Sequence, residues 1–447
     1  MGRAQEDRTM KRPALSRSGL LLALFATAAV AQSEPKKTLA ECLQIAVERH
    51  PDIQTARAAA DVGHAQTWEA ISTALPQVNA SYSAQRRHTS AGASTGTTIG
   101  GRSQTFNFYS TGFTFSQILF DFGQSLYAIH SAQATEHSLD ADVSTARETV
   151  LFAVKQGYYN LLQARRLLVV ADENVRDNQK HLDLAKGRFD VGMATRFDIT
   201  QAEVQLANAE LQQVTARNNV ALARETLRNA LGIDGALDFD IVDTLDVHDV
   251  HLDEERAVDL ANDHRPELLS LRLQQQSVSD RIAALKTSYL PTINGNANYN
   301  YSGTAYPLDN TWTFGASANL SVFNGGLTTS EIGAAKANLS QLKSQERSLL
   351  HQVRLQVRQA VLNLAQASES IEVSRKGLQS GRENLAIAEG QYSAGVGNII
   401  ALTDAQAALT TAEGNNVQAL AGYHNALAAL EQATAQTFSE ETTVLGH

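Results

Sequence analysis

One cysteine in the whole chain excludes a disulfide framework, so no covalent staple holds this fold together. That residue, Cys42, falls in the periodic segment Leu39, Cys42, Leu43, Ala46 and reads as core packing rather than chemistry. Positive charge is also short: 37 Lys and Arg stand against 47 Asp and Glu, and the net charge of -10 argues against a nucleic-acid partner. Catalytic signatures are missing. There is no His-Glu-x-x-His, no phosphate-cradling Gly loop and no nucleophile in a recognisable setting, so the chain is not read as an enzyme and no cofactor is expected. The nearest approach to a metal-ligand spacing, Asp246-x-His248-Asp249-x-His251, lies in an acidic connection and reads as a solvated linker.

Long apolar runs are absent as well. The one candidate, residues 20–30, follows Lys11, Arg12 and Arg17 and ends in Ala29-Val30-Ala31, the pattern of a secretory signal too short to span a bilayer. Removing residues 1–31 takes away five basic and two acidic side chains, which makes the exported chain more acidic still. No cysteine stands directly after the cleavage site, where a lipid anchor would need it, so the mature N-terminus is expected to carry no lipid.

What the chain has instead is a long helical pattern written twice. Residues 124–231 and 327–430 each read as a very long helix, a short Gly-containing break and a second long helix. Phe189 superposes on Tyr392, Gly192 on Gly395, Thr200 on Thr403 and Glu210 on Glu413 with one constant offset of 203 and no gap, which marks a duplication. After each break the apolar residues step by alternating threes and fours: Ile199, Ala202, Leu206, Ala209, Gln213, Ala216, Val220 in the first copy, and Leu402, Ala405, Leu409, Ala412, Asn416, Ala419, Tyr423 in the second. This 3.5-residue period is a coiled-coil seam, and alanine at every other layer lets backbones approach closely. The one polar layer, Gln213, recurs as Asn416, which predicts that the two copies pack equivalently.

Proline is scarce, and Pro51 and Pro266 stand at matching places, within His50-Pro51-Asp52 and His264-Arg265-Pro266-Glu267, where each stops one helix and opens the next. Here the offset is 215. The twelve extra residues of the first copy fall in the segment that follows, whose pattern changes to a period of two. Val78, Ala80, Tyr82 and Ala84 alternate with small polar residues, as do Tyr109, Thr111, Phe113 and Phe115 on the return. Ile293, Ala297, Tyr299 and Tyr301 repeat this in the second copy, followed by Trp312, Phe314, Ala316, Ala318, Leu320 and Val322. Strands with one apolar and one polar face sit between two different solvents. Each pair is a hairpin, with a long Gly/Ser/Thr-rich tip at 90–103 in the first copy and a short one at 304–310 in the second.

These features divide the chain into a signal (1–31), then helices (32–75), a β-hairpin (76–120) and paired long helices (121–236) of the first copy. A connection (237–252) leads to the helices (253–290), β-hairpin (291–323) and paired long helices (324–435) of the second copy, and a tail (436–447) follows. Size decides where each part lives. The strands have the roughly 9 to 11 residues a membrane strand needs, and lipid cannot satisfy an open sheet edge, so they must close into a barrel of at least about eight. One chain supplies four strands, so several chains must share the barrel. The helix from 124 to about 186 would be roughly 95 Å long at about 1.5 Å per residue, far more than a bilayer, and it carries Lys155, Arg165, Arg166, Asp172 and Glu173, so it stands in water. A soluble sheet with one wet face would alternate similarly; the export signal and the aromatic bands favour the membrane.

The order helix, hairpin, Phe120-Asp121-Phe122-Gly123 turn, long helix, Val191-Gly192 break, long helix, all duplicated, resembles the TolC-like outer-membrane efflux proteins from Thr38 to about Leu430. The resemblance implies an α+β membrane protein: a homotrimer with a 12-stranded β-barrel in the lipid of the outer membrane, continued by a periplasmic α-helical barrel. It also implies a passive duct for efflux or type I secretion that docks a periplasmic adaptor and an energised inner-membrane transporter. It directs attention to Gly192 and Gly395, where family members narrow the tunnel and where an adaptor is expected to bind. Asp198 and Tyr392 match the family's acidic and tyrosine positions, and Asp404 matches one of two common aspartates, with Ala401 in place of the other. The alternative is a barrel-anchored coiled-coil adhesin or structural protein, which usually gathers its strands at one end of the chain; here they interrupt both copies symmetrically. N-terminal sequencing and intact mass of the exported protein are expected to give Gln32 as the first residue with no added acyl mass.

Overall fold

The computed structural model describes residues 35–89, 103–245, 247 and 253–438. The signal, most of the first hairpin tip, the residues Asp246, His248, Asp249 and His251, and the end of the tail lie outside the described residues. The first copy runs β1 (Lys36–Lys37), α1 (Leu39–Arg49), α2 (Pro51–Ala74), β2 (Gln77–Thr89), β3 (Gln104–Phe120), α3 (Gln124–Asp190) and α4 (Arg196–Ala230). After β4 (Asp240–Ile241), the second runs α5 (Glu254–His264), α6 (Pro266–Thr287), β5 (Thr292–Gly303), β6 (Asp309–Asn319), α7 (Leu327–Ser393) and α8 (Ile399–Thr434). The helices α3 and α7 are both 67 residues long, about 100 Å at about 1.5 Å per residue. No helix of the described residues is long and apolar enough to cross a membrane.

Local chemistry sets the boundaries. Thr38 and Glu41 form a capping box at the start of α1, with Thr38 N donating to Glu41 Oε2 at 2.7 Å. Pro51 and Pro266 open α2 and α6 at the first helical position, where the missing N–H has no partner to lose. The turns into the long helices need left-handed backbone: Gly326 lies at φ 84, Gly123 at φ 88, and Phe122 at φ 55. Asp121 holds that strained turn by accepting from the N–H of Gly123 at 3.1 Å and of Ser125 at 2.8 Å.

The four-stranded antiparallel sheet has the order β2-β3-β5-β6. Its register aligns the alternation across all four strands: Val78, Phe115, Ala297 and Phe314 form one row and Ala80, Phe113, Tyr299 and Trp312 the next. Between these rows, and on the other face, lie Asn79, Thr114, Asn298 and Thr313. Phe113, Trp312 and Phe314 are exposed. The alternation predicts a strand reaching Val322, but β6 ends at Asn319. Asn319 pairs with Thr292, the first residue of β5, so residues 320–322 have no strand beside them. A bulge between Ile118 and Phe120 shifts the β3 register and sets Phe120 opposite Ile293.

Around the helices the two copies differ, contrary to the equivalence the polar layer predicts. Gln213 Nε2 does reach Asp172 Oδ1 at 2.7 Å, and Asn416 Nδ2 reaches Ser374 Oγ at 3.2 Å, so both amides bridge to the preceding long helix. Yet α4 packs chiefly on α3, whereas α8 packs on both α7 and α3. The sequence explains it: where α4 carries Glu203, Arg217, Asn218 and Glu225, the positions 203 residues later on α8 are Gln406, Leu420, Ala421 and Ala428. A second apolar face lets α8 sit between two neighbours.

The connection between copies is part of the core. β4 pairs in parallel with β1, and Leu237, Phe239 and Ile241 are buried with Cys42, Ala46, Val154, Leu161 and Leu227. Tyr158 donates its hydroxyl to Val242 O at 2.6 Å, and Arg166 grips Asp243 at 2.8 and 3.1 Å. Burial pushes the Cys42 thiol up to about 11 and the Tyr159 phenol up to about 12. Both groups keep their protons in the folded state above the pH at which the unfolded chain releases them, so stability is lost as pH rises from roughly 9 towards about 12. Cys42 in the native protein is expected to resist iodoacetamide at pH 8 and to react once the chain is denatured; rapid native labelling would contradict this packing.

Candidate functional site: the far end of the helix pairs

Each long helix ends at a glycine in left-handed backbone, Gly192 at φ 74 and Gly395 at φ 82, which closes the last turn and lets the chain reverse. The N–H of Met193 donates to Arg188 O at 2.8 Å and that of Val396 to Gln391 O at 3.1 Å. The returning helices start differently. In the first copy Thr195 and Asp198 form a capping box: Thr195 N donates to Asp198 Oδ2 at 3.1 Å, and Asp198 N to Thr195 Oγ1 at 3.4 Å. In the second, Asn398 Oδ1 accepts from Ala401 N at 2.8 Å. Ala401 stands at the position equivalent to Asp198 and has no carboxylate to close a box.

The predicted site residues therefore separate. Tyr392 is 2 % exposed, packed among Leu385, Ala388, Ile399, Leu402, Ala405 and Leu409. Burial pushes its phenol up, with the Asp198 carboxylate adding to the shift and Arg188 opposing it. Asp404 belongs to another face: it is exposed on α8, one turn beyond Ile400, and has no hydrogen-bond or ion partner among the described residues.

The residue that sequence reasoning missed is Arg188. From the end of α3 its guanidinium lies 4.6 Å from the centre of the Tyr392 ring, and its Nη1 donates to the Tyr392 carbonyl, so it ties the first copy to the second. Its equivalent in the second copy is Gln391, and a charge present beside only one of two matching breaks was the available signal. The clamp is incompletely paired: Arg188 Nε and Tyr392 Oη are buried without hydrogen-bond partners among the described residues.

Further along α3 the same seam turns polar. Asn174, Asn178 and His181 are buried against Gln406 and Thr410 of α8. Asn178 Nδ2 donates to Asn174 Oδ1 at 2.8 Å, Thr410 Oγ1 to the same oxygen at 3.0 Å, and Gln406 Nε2 to it at 3.4 Å. Asn174 Nδ2 in turn donates to Gln212 Oε1 of α4 at 3.3 Å. Among the described residues no group of His, Cys, Asp and Glu could hold a metal ion.

A sheet with one lipid-suited face, joined to water-exposed helices about 100 Å long that reverse at their far end, fits a membrane-anchored exit duct. The chain belongs to the Outer membrane efflux protein family, whose sequence pattern matches residues 42–233 and 257–436. It is 23% identical to the outer membrane efflux protein BepC of Brucella suis over 326 residues, 72% of this chain and 68% of that one. Against the outer membrane protein TolC of Vibrio cholerae it is 24% identical over 328 residues, 69% of this chain and 71% of that one. Its fold superposes on the CmeC outer membrane channel of Campylobacter jejuni with a TM-score of 0.81 at 17% identity, covering 96% of this chain and 95% of that one. It is accordingly an efflux channel of the Gram-negative outer membrane, with its helices in the periplasm, and not an enzyme.

Two substitutions separate clamp from packing. Arg188→Ala removes a cation–ring contact and a charge-assisted hydrogen bond and is expected to cost about 1 to 3 kcal/mol. Tyr392→Phe removes only a hydroxyl that has no partner and is expected to be neutral or stabilising by up to about 1 kcal/mol. Thermal unfolding in detergent reads both; a large loss from Tyr392→Phe would show that the hydroxyl is engaged.

Proposed function

We propose that three copies of the chain close one 12-stranded barrel and one helical tunnel, forming a passive outer-membrane exit duct. The single observation that carries this is the pair of open edges: among the described residues β2 and β6 each pair on one side only, although both carry the lipid-facing rows. In hydrocarbon an unpaired edge is untenable, so β6 of one copy takes β2 of the next. The helices support the same closure. Val204, Leu211, Val214 and Leu222 of α4, and Leu355, Leu362, Val373 and Ile387 of α7, are stripes at coiled-coil spacing left exposed by the described residues.

In this assembly residues 76–120 and 291–323 build the barrel, 121–236 and 324–435 the tunnel, and the shorter helices with the 237–252 connection pack around the tunnel. The duct's energy comes from an inner-membrane transporter, linked through a periplasmic adaptor that docks at the reversals near Gly192 and Gly395. Asp404 faces the lumen and gives a single ring of three carboxylates at the constriction. Tyr392, held by Arg188, and Asp198 keep neighbouring helix pairs together. An adhesin reading would put the helices outside the cell, where protease added to intact cells would cleave them; the duct reading protects them.

Planar-bilayer conductance of the purified protein, with mass in the same detergent, tests the proposal. Discrete cation-preferring steps from a trimer are expected, and Asp404→Asn is expected to weaken the cation preference several-fold without changing the mass. Unchanged conductance and selectivity in Asp404→Asn would remove Asp404 from the lumen.

A further inference from the structure

The outward face of the sheet does not end at its tyrosines. On β2 the outward positions Val78, Ala80, Tyr82 and Ala84 continue to Arg86 and His88, which pair with Asn107 and Thr105 of β3. Arg86 is the only Arg, Lys, Asp or Glu on the outward positions of the four described strands. Both other such residues in these strands have the opposite parity: Asp309 lies opposite Ser302, and Arg87 turns inward, its guanidinium 4.2 Å over the Phe108 ring and bonded to Gln85 Oε1 at 3.2 Å. Arg86 is exposed and has no hydrogen-bond or ion partner among the described residues.

Its height follows from the strand. From Phe120, beside the helices, to Tyr109 the chain climbs about 36 Å at about 3.3 Å per residue, or about 28 Å along the membrane normal at a tilt of about 40°. That matches the roughly 30 Å hydrocarbon layer, with the Phe120/Phe122 pair at one boundary and the tyrosines at the other. Arg86 lies two residues beyond the Ala84–Tyr109 pair, about 5 Å higher, among the headgroups of the leaflet away from the helices. Beside it His88 is held by Thr105 Oγ1 at 2.8 Å and Ser103 Oγ at 3.3 Å, which gives Arg86 a hydroxyl-lined neighbour rather than a carboxylate.

We propose that Arg86 is a lipid-phosphate anchor: its guanidinium fork takes the phosphate of an outer-leaflet glycolipid and fixes the depth of the barrel. This rests on the barrel reading above, which puts the outward face in lipid. The chemistry recognised is a phosphate anion, and its sources, lipid-borne or free, are separable.

The test uses the full-length trimer in detergent, titrated with diphosphorylated lipid A and with the same lipid after enzymatic removal of its phosphates, bound copies being counted by native mass spectrometry. The phosphorylated lipid is expected to bind about tenfold more tightly. Arg86→Gln is expected to abolish that difference and Arg86→Lys to keep part of it, while Arg87→Gln, altering the inward arginine, leaves it intact. Inorganic phosphate at millimolar concentration is expected not to displace the lipid. Equal binding of both lipids, or an Arg86→Gln trimer that still discriminates, overturns the anchor while leaving a conducting barrel in place; displacement by inorganic phosphate overturns its lipid specificity. A monomer that never conducts overturns both the anchor and the barrel beneath it.

Discussion

Hydrocarbon offers no hydrogen bonds, and from that one constraint most of this architecture follows. Each strand in lipid must be paired on both sides, yet the described sheet has four, in the order β2-β3-β5-β6, with two edges unmet among the described residues. In the proposed assembly, copies of the chain finish one another's sheets, and the helices continuing from the strands inherit the same symmetry. The exposed stripes on α4 and α7 are the helical counterpart of the open edges, and in the proposed assembly both serve as half-interfaces. The sharp turns at Asp121–Gly123 and Asn324–Gly326 join the two regimes, passing from a pattern with period two to one near 3.5 within a few residues.

Duplication supplied both halves, but burial has separated them. The α4 seam is covered on one side by α3, while α8 is sandwiched, and four substitutions of charge or amide by Leu, Ala or Gln account for the change. A different asymmetry is built into the tunnel end. The first copy caps its returning helix with Thr195 and Asp198, the second with Asn398, and in the second returning helix Asp404 is exposed and without a partner among the described residues. Arg188 then bridges the two copies by stacking on Tyr392, leaving two polar atoms without partners in a buried spot. Such a contact holds the hairpins together without saturating them, so little hydrogen bonding is lost when they part.

The fold was legible because its signals are periodic and repeated. A constant offset of 203 ran through the helices, and the alternation from Val78 to Ala84 and from Trp312 to Ala318 reported one apolar face before any register was known. Where reading failed, the cause was nonlocal. The end of β6 is set by where β5 begins, which the β6 sequence does not contain. The double burial of α8 was encoded in Leu420, Ala421 and Ala428, but those residues also fit a merely more apolar helix. Asp198 and Tyr392 were visible at the breaks; the Asp198 capping box is local, closed with Thr195 three residues before it, whereas the arginine from the other copy that lies over Tyr392 depends on a contact across 204 residues.

The polar layer where α3 meets α8 has a mechanical meaning. A seam of leucine and alanine resists separation but changes little when one helix slips along the other, since apolar contact is non-directional. Amides and hydroxyls are directional, and the set formed by Asn174, Asn178, Gln406 and Thr410 is satisfied only at particular axial offsets. Between those offsets each unmade bond costs about 1 kcal/mol. The seam therefore acts as a detent: displacement between the two copies proceeds in clicks from one bonded arrangement to the next rather than as a continuous glide.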